Sequence, residues 1–279
     1  MSKKVLVTGH TGFLGHHVIE PLIAAGFEII FTGRQFPIKE IHLDLLDPEQ
    51  IKYVMEYHKP EYLLHLAWDV NPGYRNNPNN IFWMNASLQL VHHFANNGGR
   101  KAVIAGTCFD SNPDTLYGTC KRSLWNILNY AKFTESLELA YGRIYYMYGP
   151  HEHRIRLIPS MINGLLDNEV VEVKSLASQQ FNLIYVQDVA EAFVHVLNSD
   201  IAGEFDLVGD TVSLESIANT ITELFDVDHD RIILGTENLY EDTRQPQRAI
   251  GSSVKIPLIR GLTRTIEWWK EQRYKETGI

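Results

Sequence analysis

Two cysteines in 279 residues are too few for a disulfide framework, and Cys108 and Cys120 do not stand at zinc-type spacing. Both read as reduced thiols. Basic residues are scarce too: 25 Lys and Arg against 34 Asp and Glu leave a formal charge of −9. That balance does not suit nucleic acid, whose phosphates need a basic face, although a few arginines suffice for a small anion. No apolar run approaches the ~20 residues of a membrane-spanning helix. The opening Met-Ser-Lys-Lys runs directly into Val-Leu-Val-Thr-Gly without an apolar leader. The expectation is a cytoplasmic protein with a small-molecule partner, no nucleic acid and no membrane. Repeats and low-complexity linkers are also missing, which leaves one large core or a core with a smaller lobe.

What is present is alternation. Apolar runs at 3–8, 27–32, 41–43, 62–66, 101–105 and 138–143 read as strands, with helical patterns between them. Asp47-Pro48-Glu49-Gln50 offers an N-cap, a proline at the first helical position and a glutamine in capping-box position. Asn96-Asn97-Gly98-Gly99 ends the helix before it. Pro21 inside the first helical pattern predicts a kink or an early end. Such alternation implies right-handed crossovers and a parallel sheet covered on both faces. After Pro150 the regularity loosens, with helical patterns near 159–166, 189–197, 214–225 and 262–273. Two lobes sharing one core are expected.

Directly after the first strand comes Gly9-His10-Thr11-Gly12-Phe13-Leu14-Gly15, opening a helix. Glycines here permit a tight turn and let the backbone approach a pyrophosphate at the helix N-terminus. NAD binders usually carry an acid at the end of the second strand, for the ribose 2′-hydroxyl; an arginine there accommodates the 2′-phosphate of NADP. This chain has Phe31-Thr32-Gly33-Arg34. Arg34, with His10 and the Thr32 hydroxyl, favours NADP(H) as cofactor, NAD(H) being the alternative.

Tyr117 and Lys121 stand four residues apart in Y-G-T-C-K, on one face of a helix, and Thr107 closes the apolar run before them. An ammonium beside a phenol favours the phenolate, so a depressed Tyr117 pKa is expected. His65, on an apolar strand, reads as a satisfied core residue. Trp68-Asp69 and Tyr74-Arg75 follow that strand where open α/β sheets place ligands, and serve either a sugar or base contact or simple packing. His151 and His153 flank Glu152 without a third ligand at zinc spacing, so no metal site is expected.

Taken in order, these segments resemble the extended short-chain dehydrogenase/reductase superfamily, in its group of nucleotide-sugar epimerases, dehydratases and 4-keto-reductases. The resemblance runs through G-H-T-G-F-L-G, D-L-L-D at 44–47, L-H-L-A at 64–67, Asn85, Thr107, Y-G-T-C-K, R-I-Y-Y-M-Y-G-P at 143–150 and Y-V-Q-D-V-A at 185–190, to a closing T-I-E-W-W. It implies a Rossmann-type doubly wound parallel sheet over residues 1–150, with a return at 182–200, and a smaller C-terminal α/β substrate lobe over 151–279. It further implies that Asp44 contacts the adenine with Leu45 beside the ring, and that Leu66 and Ala67 line the cofactor. Lys121 would bond the nicotinamide ribose, and Thr107 the substrate oxygen next to Tyr117. A homodimer through helices around 81–94 and 117–133 is expected by the same analogy.

Three departures narrow the activity. Dehydratases of the group follow the catalytic threonine with an Asp-Glu pair, whereas Thr107 is followed by Cys108 and Phe109. Only nine residues separate Thr107 from Tyr117, a short stretch that removes side chains expected over a sugar. Where the group carries an Arg-Asp pair ahead of Y-V-x-D-V, this chain has Phe181-Asn182. Arg154, Arg156, Arg244 and Arg248 are the candidates to replace that phosphate-binding arginine, solvated surface charge being the alternative for each. The expectation is an NADPH-dependent reductase of a keto group, the 4-keto group of a nucleotide-activated 6-deoxy sugar. A nucleotide-sugar epimerase is the alternative and a non-catalytic NADP-sensing regulator the third reading.

Overall fold

In the computed structural model, which describes residues 3–33, 41–131, 137–237, 246 and 256–277, β1 (Lys3–Thr8) lies between two parallel neighbours. These are β2 (Phe27–Gly33) and β4 (Tyr62–His65). A strand paired on both edges and covered on both faces has no solvent side. Hence Val5, Leu6, Val7 and Thr8 are all buried, and the run is continuously apolar instead of alternating. Seven strands join in the order β3 (Ile41–His42), β2, β1, β4, β5 (Lys101–Thr107), β6 (Glu138–Ile144) and β10 (Gly203–Leu207). Every pairing in this sheet is parallel.

From β1 the chain steps outward to β2 and β3, then returns to β4 on the other side of β1. With right-handed crossovers, this reversal puts α1 (Phe13–Ala24) on one face and α2 (Pro48–His58), α3 (Asn79–Asn96) and α4 (Leu116–Ala131) on the other. The second face is sealed by Ile51, Met55, Leu90, Phe94, Leu124 and Leu128 packed with Leu6, Leu63 and Ile104 of the sheet. Burying one such leucine contributes roughly 1.5–3 kcal/mol. The order also opens a crevice beyond the C-terminal ends of β1 and β4, where ligands of such sheets bind.

Local signals behave as their chemistry requires, with one difference. Asp47 caps α2 by accepting the Glu49 and Gln50 N–H groups, and Pro48 takes the first position. Gln50 does not close a capping box: its amide donates to the Asp47 carboxylate, and its Oε1 accepts the Asp44 N–H at 2.9 Å. Pro21 sits inside α1, which closes at Ala24, within a turn of it.

The described residues up to Ile144, with Ala190–Leu207 and Pro246, form one compact unit. The returning segment reaches Leu207 because it carries β10, the seventh strand. Residues 145–189, 208–237 and 256–277 form the other unit. There β7 (Tyr146–Tyr148), β9 (Gln180–Tyr185) and β11 (Asp210–Ser213) make one small sheet, and β8 (Val171–Ser175) pairs with β12 (Ile232–Glu237). Helices α5 (Leu157–Leu166), α7 (Leu214–Phe225) and α8 (Leu258–Thr277) enclose Ile158, Met161, Ile217, Ile221 and Leu262. Helix α6 (Val186–Leu197) begins in this unit and continues in the first from Ala190. No helix among the described residues is long and apolar enough to cross a membrane.

Candidate active site

The glycine turn is shaped by what a side chain would strike. Gly9 leaves β1 at φ +75°, and a Cβ there would lie 2.7 Å from the Ala67 nitrogen. Gly15 packs the first turn of α1 so closely on the loop that a Cβ would reach 2.1 Å from the Gly9 carbonyl oxygen. Gly12 is the N-cap of α1, where a Cβ would meet only the Gly9 oxygen, at 3.2 Å. The turn is thus clamped at Gly9 and Gly15 and less tightly, but still closely, at its cap. The first N–H groups of a helix find no carbonyl within it, and its dipole favours negative charge. The residues present fit a dinucleotide pyrophosphate at Gly9–Gly15.

Behind the turn lies a neutral polar chain. His65 Nδ1 meets the Thr8 hydroxyl at 2.7 Å and its Nε2 meets the Ser87 hydroxyl at 2.8 Å. Burial, and secondarily the Lys121 charge, lowers the His65 pKa to about 3, so the ring is uncharged at neutral pH. This is the satisfied core histidine the sequence implies.

The end of β2 differs from expectation. The Thr32 hydroxyl donates to the Val7 carbonyl at 3.0 Å, which commits its hydrogen to the sheet. His10 is buried, its Nδ1 3.1 Å from the Thr32 carbonyl oxygen and its ring edge-on to Phe31. Both side chains turn inward, because a buried polar group next to a sheet edge finds backbone partners before it finds solvent. Arg34 lies outside the described residues. Asp44 accepts the Leu46 N–H at 3.0 Å, and Leu45 is buried in the core under the sheet.

The strand end of β5 and the start of α4 bring Thr107, Tyr117 and Lys121 together. The Thr107 hydroxyl accepts the Phe109 N–H at 3.3 Å and favours the ionised form of the Tyr117 phenol. The Tyr117 ring is boxed edge-on by Tyr74, Trp68 and Phe109, with centroids at 4.9, 6.1 and 6.5 Å. Aromatic cover therefore comes from 68–74 and Phe109, where the short Thr107–Tyr117 stretch leaves room for it. Lys121 Nζ donates to the Ala105 carbonyl at 2.7 Å, and lies 3.9 Å from the Trp68 ring centroid and 6.0 Å from that of Tyr117. Trp68 is held in turn by Asn80, whose Oδ1 accepts its indole N–H at 2.8 Å.

The expected depression of the Tyr117 pKa is reversed. Burial drives it upward, with Thr107 pulling the other way, so the phenol is a firmly protonated donor at neutral pH. Lys121 is itself lowered to about 7 by burial, against the opposing pull of Asp110. An ammonium that is only half-formed at pH 7 and lies beside the Trp68 ring does not outweigh the desolvation of its neighbour.

Sequence reasoning missed Asp110. Its carboxylate is fully buried and accepts from Arg143 Nε at 2.7 Å, Arg122 at 2.9 Å and the Tyr141 hydroxyl at 2.7 Å. Arg143, also buried, pairs further with Glu204 and lies 3.5 Å from Asp206. The available signal was an arginine on an otherwise apolar strand, which requires a buried partner.

These features match a known family. Residues 5–207 match the model of the NAD-dependent epimerase/dehydratase family. The chain belongs to that family. Its relatives include a UDP-N-acetyl-alpha-D-glucosaminuronate decarboxylase of Bacillus cytotoxicus, 22% identical across 97% of this chain and 99% of that protein. The mouse dTDP-D-glucose 4,6-dehydratase is 22% identical across 97% of this chain and 89% of its own length. Among solved structures, UDP-glucose 4-epimerase of Thermotoga maritima with UDP-glucose superposes with a TM-score of 0.81 at 20% identity, covering 97% of this chain and 99% of that one. The protein is an oxidoreductase-type enzyme of the extended short-chain dehydrogenase/reductase kind, with a nicotinamide cofactor and a small-molecule substrate.

The remaining candidates of this family member fall in the second unit or outside the described residues. Arg154, in the second unit, pairs with Asp167 at 2.7 Å, as does Arg273. Arg156 is the N-cap residue of α5 and acts on Glu152, whose carboxyl burial pushes up to about 8. The His151 ring lies tilted against Trp268 with centroids 4.7 Å apart, and His153 Nδ1 accepts the Ile155 N–H at 3.3 Å. Arg244 and Arg248 lie outside the described residues.

Proposed function

We propose that this enzyme reduces a keto group with NADPH, its substrate being the 4-keto group of a nucleotide-activated 6-deoxy sugar. The observation that carries this reading is the fate of the acids after Thr107. Cys108 and Phe109 stand where an elimination would need a carboxylate, and the next acid, Asp110, is committed to Arg122 and Arg143. Tyr117 is then the proton donor beside Thr107, which suits one reduction better than elimination. The nicotinamide, when bound, supplies a hydride to the carbonyl carbon. Tyr117 gives its proton to the developing alkoxide, so hydride plus proton complete the alcohol. The Thr107 hydroxyl holds that oxygen, and the Lys121 ammonium steadies the phenolate left behind. NADP(H) is preferred on the strength of Arg34 and the lack of an acid after β2.

Stoichiometric loss of NADPH with a 4-keto-6-deoxy nucleotide sugar is the expected outcome, and Tyr117→Phe lowers kcat by at least ~100-fold. Interconversion of two sugars without net NADPH loss would replace the reductase with an epimerase. Tighter binding of NADH than NADPH, or an Arg34→Ala variant with unaltered NADPH affinity, would end the cofactor preference. An intact biological activity in Tyr117→Phe would point to a regulator.

The same reading includes a second copy of the chain on α3 and α4, which expose Ile81, Phe82, Ile127 and Tyr130. Sedimentation is expected to give a dimer that Phe82→Asp with Tyr130→Asp converts to monomer. A monomeric wild type at micromolar concentration ends this part.

A further inference from the structure

Asp110 sits at the centre of contacts that all lead back to Lys121 and Tyr117. Arg122, the residue after Lys121, donates to the Asp110 carbonyl at 2.9 Å as well as to its carboxylate. The Tyr141 hydroxyl lies 2.7 Å from Asp110 Oδ2 and 3.2 Å from the Lys121 carbonyl oxygen, so one phenol ties the acid to the backbone of the lysine. Tyr141 has no freedom to leave: its ring stacks on Trp125 at 5.3 Å and fills the space where a Gly106 Cβ would stand, 2.4 Å away. The turn carrying Asp110 is seated on α4 at Gly118, where a Cβ would lie 2.4 Å from the Phe109 carbonyl oxygen. Asp110 is three residues beyond Thr107, and its anchors Arg122, Tyr141 and Arg143 come from α4 and β6.

We propose that Asp110 is a positioning residue of the Tyr117–Lys121 pair, its clamped carboxylate fixing the Lys121 turn of α4 and supplying the counter-charge for the ammonium. The proposal rests on the reading of Tyr117 and Lys121 as the chemical pair. A buried carboxylate held only for stability would be replaceable by a neutral group without consequence for Lys121. Here the charges and titratable groups that face Lys121 are Asp110, His65 and Tyr117, and His65 is neutral. Asp110 alone opposes the desolvation that pulls the lysine down. Burial holds the Tyr117 phenol protonated, and the Asp110 charge adds only the smallest of the pushes in that direction. Neutralising Asp110 therefore weakens the ammonium, and that loss moves the alkaline limb of a reduction to lower pH.

The test is a 13C NMR titration of the Lys121 Cε in the full chain without added ligand, its resonance assigned by disappearance in Lys121→Met. The wild-type midpoint is expected near 7, and Asp110→Asn is expected to lower it by about one unit. In turnover, the same variant is expected to lose ~10-fold in kcat at little-changed KM, with the alkaline limb moved by the same amount. A folded Asp110→Asn with an unmoved Lys121 midpoint overturns the proposal. Should that variant not fold, Tyr141→Phe keeps the ion pairs and strips one donor from the carboxylate. Its field on Lys121 then strengthens, and the midpoint is expected to rise by about half a unit; an unmoved midpoint there is equally fatal. Tyr117→Phe is assayed in parallel. Retained turnover in it removes the chemical reading of the pair, whereas the NMR result judges Asp110 independently of any substrate.

Discussion

Two turns build this site, and they keep their shape by opposite means. The turn between β1 and α1 is made by absence: Gly9 and Gly15 bring backbone within van der Waals reach of backbone, and the side chains behind it form the neutral chain Thr8, His65 and Ser87. The turn between β5 and α4 is made by charge: Asp110 is gripped by Arg122 and Arg143, with Gly118 as its one point of bare backbone contact. The difference matches the tasks proposed for them. A phosphate needs N–H groups and space, with no carboxylate near it. A proton donor and an ammonium need a fixed field, which only ionised groups of set position provide. Geometry without charge binds, and geometry with charge reacts.

The largest way to break that contrast is to add one methyl to each turn. In both Gly15→Ala and Gly118→Ala the new carbon meets a backbone carbonyl oxygen, 2.1 and 2.4 Å away, and backbone yields less than a flexible side chain. Gly15→Ala is expected to weaken dinucleotide binding by ~10–100-fold, with kcat at saturating cofactor less affected, since the overpacking costs about 1–3 kcal/mol at the phosphate turn. Gly118→Ala is expected to do the reverse, leaving cofactor affinity within ~3-fold and lowering kcat by ~10–100-fold as Thr107 and Tyr117 part. Calorimetric titration with the cofactor and steady-state kinetics separate the two. Equal losses of affinity in both variants would mean the turns are one mechanical unit.

How legible each turn was follows from the same contrast. The glycine turn could be read because absence leaves a local mark: glycines at short spacing between an apolar run and an amphipathic one. The parallel sheet followed from the alternation, and Asp47 announced α2. The reactive turn was legible only in part. Thr107, Tyr117 and Lys121 are close in sequence, but the partners of Asp110 are Tyr141, Arg143 and Glu204, which β6 and β10 bring from far along the chain. The expected depression of the Tyr117 pKa failed for the same reason. Spacing on a helix gives proximity, but it says nothing of the burial that dominates both groups. Thr32 was misjudged because the choice between a ligand and the Val7 carbonyl is made by the sheet register, not by the residue type.

A smaller test sharpens the claim that the first turn tolerates no charge. His65 titrates at 6.5 when unfolded and about 3 when folded, so between those values the unfolded chain holds the extra proton. Stability from this group is thus complete above pH 6.5 and is lost as pH falls through 6.5 toward 3. By pH 5 the loss amounts to about 2 kcal/mol. Lys121 also titrates along this path, so the measurement is the difference between wild type and His65→Gln. Glutamine keeps one donor and one acceptor for Thr8 and Ser87 but cannot take up a proton. Urea unfolding at pH 7.5 and at pH 5 is expected to show wild type losing about 2 kcal/mol more than the variant, whatever the variant's own starting stability. Equal losses would place a charged imidazole behind the glycine turn, and the neutral half of the contrast would be gone.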